Sequence, residues 1–161
     1  EAIERLRKHP LYRALRLDKV ILGAVERTLA AHVMGVPTPV QSILNVTSEA
    51  LADKAQALHE ALAGHGVEAG IEDDVGVVGG GSRPGHTLPT STVVVAHPRL
   101  DDVAHALRTG DPSVVARIAD NALRLDVRTV TVEQIPELAR RVAEALHASA
   151  PRASGGTSAD E

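Results

Sequence analysis

The chain has 161 residues, about the length of one domain, with no cysteine, phenylalanine or tryptophan and a single tyrosine. The lack of cysteine excludes disulfides, thiolate metal ligands and a cysteine nucleophile. Its 17 Lys and Arg against 21 Asp and Glu give a net charge of -4, which excludes an overall basic field for nucleic acid or membrane. No apolar run approaches the roughly 20 residues of a membrane span. We therefore expect a soluble, cytoplasmic protein without a membrane partner.

Three helices are predicted in the first part of the chain. Residues 2–8 read as a helix that ends at His9-Pro10, because a residue before proline is pushed out of the helical region. Asp18 can cap a second helix, which Gly35 and the prolines at 37 and 39 end, and a third helix follows Thr47. Apolar positions recur at helical spacing in these two, namely Ile21, Leu22, Val25, Leu29 and Val33, then Leu51, Ala55, Leu58 and Leu62.

After the third helix the period of the apolar residues changes. The predicted elements are strands at 67–79 and 91–96, a helix at 100–107, a hairpin of 114–119 and 122–127 around Asp120-Asn121, and a helix at 138–146. The order α-β-β-α-β-β-α predicts a small α/β (α+β) domain, with a mostly antiparallel sheet and helices on one face.

The composition also divides the chain. We expect residues 1–46 to be a helical segment, 47–148 a small α/β domain and 149–161, rich in Ser, Gly and Ala, a disordered tail. The chain begins without methionine inside a predicted helix, and residues 20–33 are apolar enough to pack on more protein. These features predict a fragment of a longer protein.

The stretch "VVGGGSRPGHTLPTSTVVV" is one residue away from a phosphate-binding P-loop. His86 stands where the P-loop has lysine, Pro84 removes one amide donor, and the following residues favour a strand where a P-loop needs a helix. We interpret the stretch as a glycine-rich connection between two strands. The role of the glycines at 79–81 stays open.

A second informative stretch is "RLRKHPLYRALRLDKV". If it is helical, Arg13, Arg16 and Lys19 project to the same side, and the two guanidiniums suit a phosphate-like oxyanion. A solvated basic face explains the same spacing. An Asp-Lys pair can mark the lysine that binds pyridoxal phosphate, but Lys19 at a helix start is interpreted as structural.

No catalytic residue is predicted in this chain. The histidines show no tight ligand spacing, so no metal site is predicted, and Ser82 does not lie in a G-x-S-x-G turn.

Three blocks in one order carry a resemblance to a known family. The blocks "HPLYRALRLDKVILGAVERTL", "VVGGGSRPGHTLPTSTVVV" and "VVARIADNALRLDVRTV" together resemble the C-terminal part of the bacterial selenocysteine synthases, the L-seryl-tRNA(Sec) selenium transferases. Thr90 stands where that family has serine, Ala116 where it has glycine, and residues 83–86 differ from its commoner turn.

The resemblance implies a fold and an activity. Such enzymes share the fold of the pyridoxal phosphate-dependent aspartate aminotransferase superfamily (fold type I), and this chain would be its small C-terminal domain. They convert seryl-tRNA(Sec) to selenocysteyl-tRNA(Sec) with selenophosphate. The family's two arginines that hold the selenium donor match Arg13 and Arg16.

The same resemblance implies where the cofactor is bound and which partners the longer protein has. The lysine that binds pyridoxal 5'-phosphate lies upstream in the family and is absent here, so the cofactor would not be attached to this chain, which would be inactive alone. The expected partners of the longer protein are tRNA(Sec), selenophosphate and further copies in a dimer-based oligomer.

Two alternatives stay open. One is a related pyridoxal phosphate-dependent lyase or ammonia-lyase that acts on a phosphorylated amino substrate, where the same arginines would hold a substrate phosphate. The other is a ferredoxin-like interaction module that is not an enzyme.

Overall fold

A computed structural model describes residues 1–78 and 85–150. The chain divides into two compact units, Glu1–Asn45 and Val46–Glu161. The predicted loop glycines at 79–81 lie outside the described residues, and so does the predicted tail apart from Ser149 and Ala150, which follow the last helix.

Among the described residues, the first unit consists of helices: α1 (Ala2–Lys8), α2 (Leu11–Ala14), α3 (Lys19–Val33) and α4 (Pro39–Leu44). Asp18 caps α3 as predicted, since its Oδ1 accepts hydrogen bonds from the amides of Val20 at 2.8 Å and Ile21 at 2.9 Å. None of the residues described in this unit is buried. Apolar side chains such as Val20, which is 80% exposed, therefore lack a core within the unit.

Helix α4 is absent from the sequence prediction, which uses Pro39 only to end the preceding helix. Helix α3 has already ended at Val33, and Gly35 with a φ of +69° turns the chain. Pro39 is the first residue of α4, where a missing amide hydrogen is harmless. The Thr38 side chain accepts from the Gln41 amide while the Gln41 side chain accepts from the Thr38 amide. This capping box starts the helix.

The second unit is an antiparallel sheet with helices on one face, as predicted. Its strands are β1 (Gly70–Val77), β2 (Thr87–Val95), β3 (Arg117–Ala119) and β4 (Ala122–Asp126), in the spatial order β1-β2-β4-β3. Its α-helices among the described residues are α5 (Ser48–Gly64), α6 (Leu100–Thr109) and α7 (Ile135–Ala148), and two short 3-10 turns, Val127–Thr129 and Val132–Gln134, lie between β4 and α7. The chain order α-β-β-α-β-β-α is confirmed.

The strand bounds differ from the prediction. Strand β1 starts at Gly70, and β2 starts at Thr87 where 91 was expected. A proline normally argues against an inner strand, because it has no amide hydrogen to donate to the ladder. Pro89 is tolerated because β2 pairs with β4 only from Thr92 to Val95. At Pro89, β2 pairs with β1 alone.

The core of the second unit is aliphatic, as the lack of phenylalanine and tryptophan requires. It is formed by α5, α6 and α7 against β2 and β4. Its buried members are Leu51, Ala55, Leu58, Leu62, Val93, Val95, Val103, Leu107, Leu123, Leu125, Val127, Ile135, Leu138, Ala139, Val142, Ala145 and Leu146. The predicted apolar faces of the third and last helices are therefore confirmed.

The opposite face of the sheet is polar. Asp120 and Asn121 both have positive φ, 52° and 56°, as the two central residues of the predicted hairpin turn require. The alternation along β4 then directs Leu123 and Leu125 to the helices and Arg124 to the other face. No helix in the described ranges 1–78 and 85–150 has both the length and the apolar character to cross a membrane.

Truncation of a buried side chain should lower the free energy of unfolding of the second unit more than truncation of an exposed one. Leu58 is fully buried and Val115 is 84% exposed. We expect Leu58→Ala to lower the free energy of unfolding by about 2–5 kcal/mol, because it leaves a cavity. Val115→Ala should change it by about 0.5 kcal/mol or less. Urea unfolding followed by circular dichroism measures both, and equal losses would contradict the assigned core.

Candidate functional site

The two arginines of the predicted anion site lie at a break between helices. Helix α2 contains Arg13 and ends at Ala14, and Arg16 follows in the connection to α3. The Leu11 amide donates to Nδ1 of His9 at 3.2 Å, which starts α2 beside Pro10. A backbone hydrogen bond of 3.4 Å from the Arg16 amide to the Arg13 carbonyl keeps the two residues in one turn.

A continuous helix through Arg13, Arg16 and Lys19, the condition for the three side chains to project to the same side, is not formed. Residues 16–18 are non-helical, because Asp18 takes the extended conformation of a cap and starts a new helix at Lys19. Lys19 is therefore the first residue of α3 and does not belong to a continuous stripe with the arginines. The pair is brought together by a turn, and the lysine is not part of it.

Neither Arg13 nor Arg16 has a carboxylate partner in residues 1–78 and 85–150. Both side chains are exposed, and neither makes an ion pair or a side-chain hydrogen bond with another residue of the described ranges. Several arginines of the second unit differ, since Arg99, Arg117 and Arg140 each contact a carboxylate. Two guanidinium side chains carried on one turn, without a counter-ion among the described residues, are chemically able to bind an oxyanion.

A groove of about 650 Å³ lies beside the pair. Helices α1, α2 and α3 all contribute to it, and Arg16 is the charged member of its wall. Its lining consists of Leu6, His9, Leu11, Tyr12, Leu15, Arg16, Leu17 and Leu22. The groove is thus apolar with a cation at one position.

A polar junction in the second unit joins two of the three sequence blocks. The hydroxyl of Thr90, which is 5% exposed, donates to Oδ1 of Asp126 at 2.8 Å. The Arg128 amide donates to the same oxygen at 2.9 Å, and the Arg128 guanidinium donates to the Pro89 carbonyl. Side chains therefore continue the link between β2 and the β4 segment where their ladder ends.

This junction was not predicted as a feature. The segments "LPT" and "LDVR", which lie in the second and third blocks, are about 35 residues apart in the sequence. Only the pairing of β2 with β4 brings Thr90 beside Asp126. The signal in the sequence was limited to two side chains that can hydrogen bond. Which partner each would find depends on the register of β2 against β4.

Charged side chains on the open face of the sheet neutralise one another. Arg124, at the centre, contacts Glu72 at 2.9 Å and Asp120 at 3.0 Å. Arg117 contacts Asp74, which lies 3.6 Å from Arg124. Burial acts to lower the pKa of Arg124, but the hydrogen bond and charge of Glu72, with Asp120 and Asp74, outweigh it and raise the pKa. This network is already compensated and does not offer a free anion site.

The described residues do not form a metal or pyridoxal phosphate site. Within them no group of three or more His, Cys, Asp or Glu is placed to hold a metal ion. The three lysines do not fit a Schiff base either. Lys54 donates to the Val130 carbonyl at 2.8 Å, Lys19 starts α3, and Lys8 ends α1.

The chain matches known proteins along most of its length. A family model described as L-seryl-tRNA selenium transferase matches residues 1–131. The L-seryl-tRNA(Sec) selenium transferase of Aquifex aeolicus is 34% identical over 149 residues, and the match covers 89% of this chain and 33% of that protein. That of Solidesulfovibrio magneticus is 36% identical over 155 residues, with 89% and 33% covered. The chain thus spans about a third of the length of these curated relatives.

A solved structure titled "Structure of D-Glucosaminate-6-phosphate Ammonia-lyase" shares the fold. It superposes with a TM-score of 0.51 at 20% identity, covering 88% of this chain and 35% of the solved chain. The antiparallel sheet with helices on one face defines the class, an α+β fold that this chain shares with the solved structure.

The chain belongs to the L-seryl-tRNA selenium transferase family. This confirms the resemblance carried by the three sequence blocks. It also favours the enzyme interpretation over the free-standing interaction module.

The junction at Thr90 can be tested by removing one hydroxyl. We expect Thr90→Val to lower the free energy of unfolding by about 1–3 kcal/mol, because it removes a hydrogen bond to a carboxylate at a nearly buried position. Thr90→Ser keeps the donor and should stay close to the wild type. Thr129 is exposed, so Thr129→Val serves as the control. Urea unfolding measures all three, and a loss for Ser without a loss for Val would show that the methyl group, not the hydrogen bond, matters.

Proposed function

We propose that the longer protein to which this chain belongs converts seryl-tRNA(Sec) to selenocysteyl-tRNA(Sec), with selenophosphate as the selenium donor. The family match across residues 1–131 carries the proposal. In this reaction the bond from serine Cβ to its hydroxyl oxygen breaks and the oxygen leaves as water. A bond from Cβ to selenium forms, and water cleaves the selenium–phosphorus bond to release phosphate. We assign the reaction to the cytoplasm.

Arg13 and Arg16 hold the oxyanion of selenophosphate in this proposal. Support comes from their exposure, their shared turn and their lack of a carboxylate partner among the described residues. Guanidinium groups present forked N–H donors that match the oxygens of a tetrahedral anion. A bound anion would also remove the repulsion between the two charges. The contribution of this chain is therefore to bind and orient the donor.

Pyridoxal 5'-phosphate, when bound, supplies an electron sink for the chemistry at the serine Cα and Cβ. Because none of the three lysines here fits its Schiff base, we assign its binding to a large domain elsewhere in the longer protein. Residues 1–46 then form the helical link to that domain, and 47–148 the small domain. The lack of any buried residue among those described in Glu1–Asn45 supports a link that packs on further protein.

The partners follow from this reaction. We propose tRNA(Sec) and selenophosphate as the substrates, and a homo-oligomer built from dimers as the assembly. The names of the relatives support the tRNA substrate. The alternative is a lyase that acts on a phosphorylated amino substrate, for which the ammonia-lyase likeness supports the fold only.

Removal of the arginine pair should abolish use of the selenium donor. In the full-length protein loaded with pyridoxal phosphate, we expect Arg13→Ala/Arg16→Ala to reduce kcat/KM for selenophosphate by about 100-fold or more, because two charge-assisted contacts are lost. Inorganic phosphate should inhibit the wild type and inhibit the variant much more weakly. Selenocysteine formed on tRNA is the readout.

Arg27 is exposed on α3 without an ion pair to a described residue, so Arg27→Ala is the matched control and should retain activity. Equal activity of the double variant and the control would refute the anion role. A wild type that binds the cofactor but leaves seryl-tRNA unchanged would refute the transferase and favour the lyase.

A further inference from the structure

The charge of the chain is divided unevenly between its two units. Residues 1–45 carry seven Lys and Arg against four Asp and Glu, whereas residues 46–161 carry ten against 17. Within residues 1–19 the count is six cations against three acids. The net charge of -4 therefore conceals a cationic stretch at the start of an acidic protein.

The cations of this stretch make no ion pair with the residues that the structure describes. Arg5, Arg7 and Lys8 on α1 are exposed and, like Arg13 and Arg16, have no carboxylate partner in those ranges. The acids of α1 lie in the first turn and the cations in the last. The cations are thus free to meet an external anion.

These cations share a surface region with the candidate anion site. Leu6 of α1, Arg16 after α2 and Leu22 of α3 line the same groove, so α1 lies next to the turn that carries Arg13 and Arg16. Arg5 and Lys8 are three residues apart on α1 and project to one side of it. A ligand that reaches Arg16 and extends past α1 would therefore meet a series of positive charges.

We infer that α1 contacts the sugar-phosphate backbone of the tRNA through Arg5 and Lys8, an inference that rests on the proposed function. A nucleic acid offers one negative charge per nucleotide, so its backbone matches a row of cations in a way that a single selenophosphate cannot. Lys and Arg contacts to phosphates release counter-ions, which makes the affinity strongly dependent on salt. Arg13 and Arg16 bind the small donor, and α1 binds the large substrate.

A second explanation predicts different behaviour. Cations in the last turn of a helix interact favourably with the partial negative charge at its C-terminus. That interaction stabilises α1 but gives no dependence of tRNA affinity on Arg5 and Lys8. The salt dependence of binding therefore separates the two explanations.

The test uses the full-length protein with pyridoxal phosphate and unacylated tRNA(Sec) as the probe. Binding is measured over a series of KCl concentrations for the wild type and for Arg5→Gln/Lys8→Gln. We expect the double variant to bind roughly tenfold more weakly at low salt. The slope of log affinity against log salt should fall by about 2, one for each lost phosphate contact. KM for seryl-tRNA should rise, while KM for selenophosphate stays unchanged.

Two controls keep the result decisive. The variant Arg99→Gln/Arg108→Gln removes the same amount of charge from the second unit and should leave the salt slope unchanged. The variant Arg5→Lys/Lys8→Arg keeps the charge on α1 and should retain tRNA binding. If the wild type forms selenocysteyl-tRNA and Arg5→Gln/Lys8→Gln keeps its salt slope, the α1 contact is wrong and the proposed function stands. If the wild type neither binds tRNA nor forms selenocysteine, the proposed function fails and the inference with it.

Discussion

Strand β2 is the element on which the second unit depends. It pairs with β1 from Thr87 to Val94, and with β4 only over its last four residues. Its Val93 and Val95 belong to the core beneath the helices. Where β4 ends, Asp126 and Arg128 bind Thr90 and Pro89 through side-chain groups. One strand therefore links the core, both neighbouring strands and the polar junction.

The aliphatic core constrains where charge can be placed. Without phenylalanine or tryptophan, the buried area comes from many small side chains that must pack from three helices onto one face of the sheet. The other face is left for polar groups. Arg124 is only 11% exposed there, and it is accommodated because Glu72, Asp74 and Asp120 surround its guanidinium. Charge on this face of the sheet is balanced locally.

The first unit has the opposite character. Its apolar side chains lack a core and its arginines lack carboxylate partners among the residues described. Helix α3 carries apolar residues around most of its circumference, which is typical of a helix enclosed by protein. Taken with the relatives' greater length, these features support the proposal that a large domain and anionic ligands complete this segment. In that proposal the second unit contributes a folded domain and the first unit a link that carries the anion site.

Periodicity and local capping were sufficient to predict most elements of this protein. Asp18 and Thr47 cap helices by hydrogen bonds to amides two or three residues away, and Asp120-Asn121 forms a turn from its own backbone preferences. These interactions are local, so sequence alone determines them. The Thr38 capping box is equally local and was predictable. The family was likewise readable from the order of three motif blocks.

Tertiary structure decided the features that depend on distant partners. Pro89 lies in an inner strand because β4 ends before reaching it, and Thr90 meets Asp126 because the strand register aligns them. The end of α2 at Ala14, which separates Arg13 from Arg16, was also not readable from spacing, although the Asp18 cap of the following helix was. The spacing of two residues predicts that their side chains project to the same side only while both lie in one continuous helix. Where it stops, the positions of side chains depend on contacts that the sequence pattern does not encode.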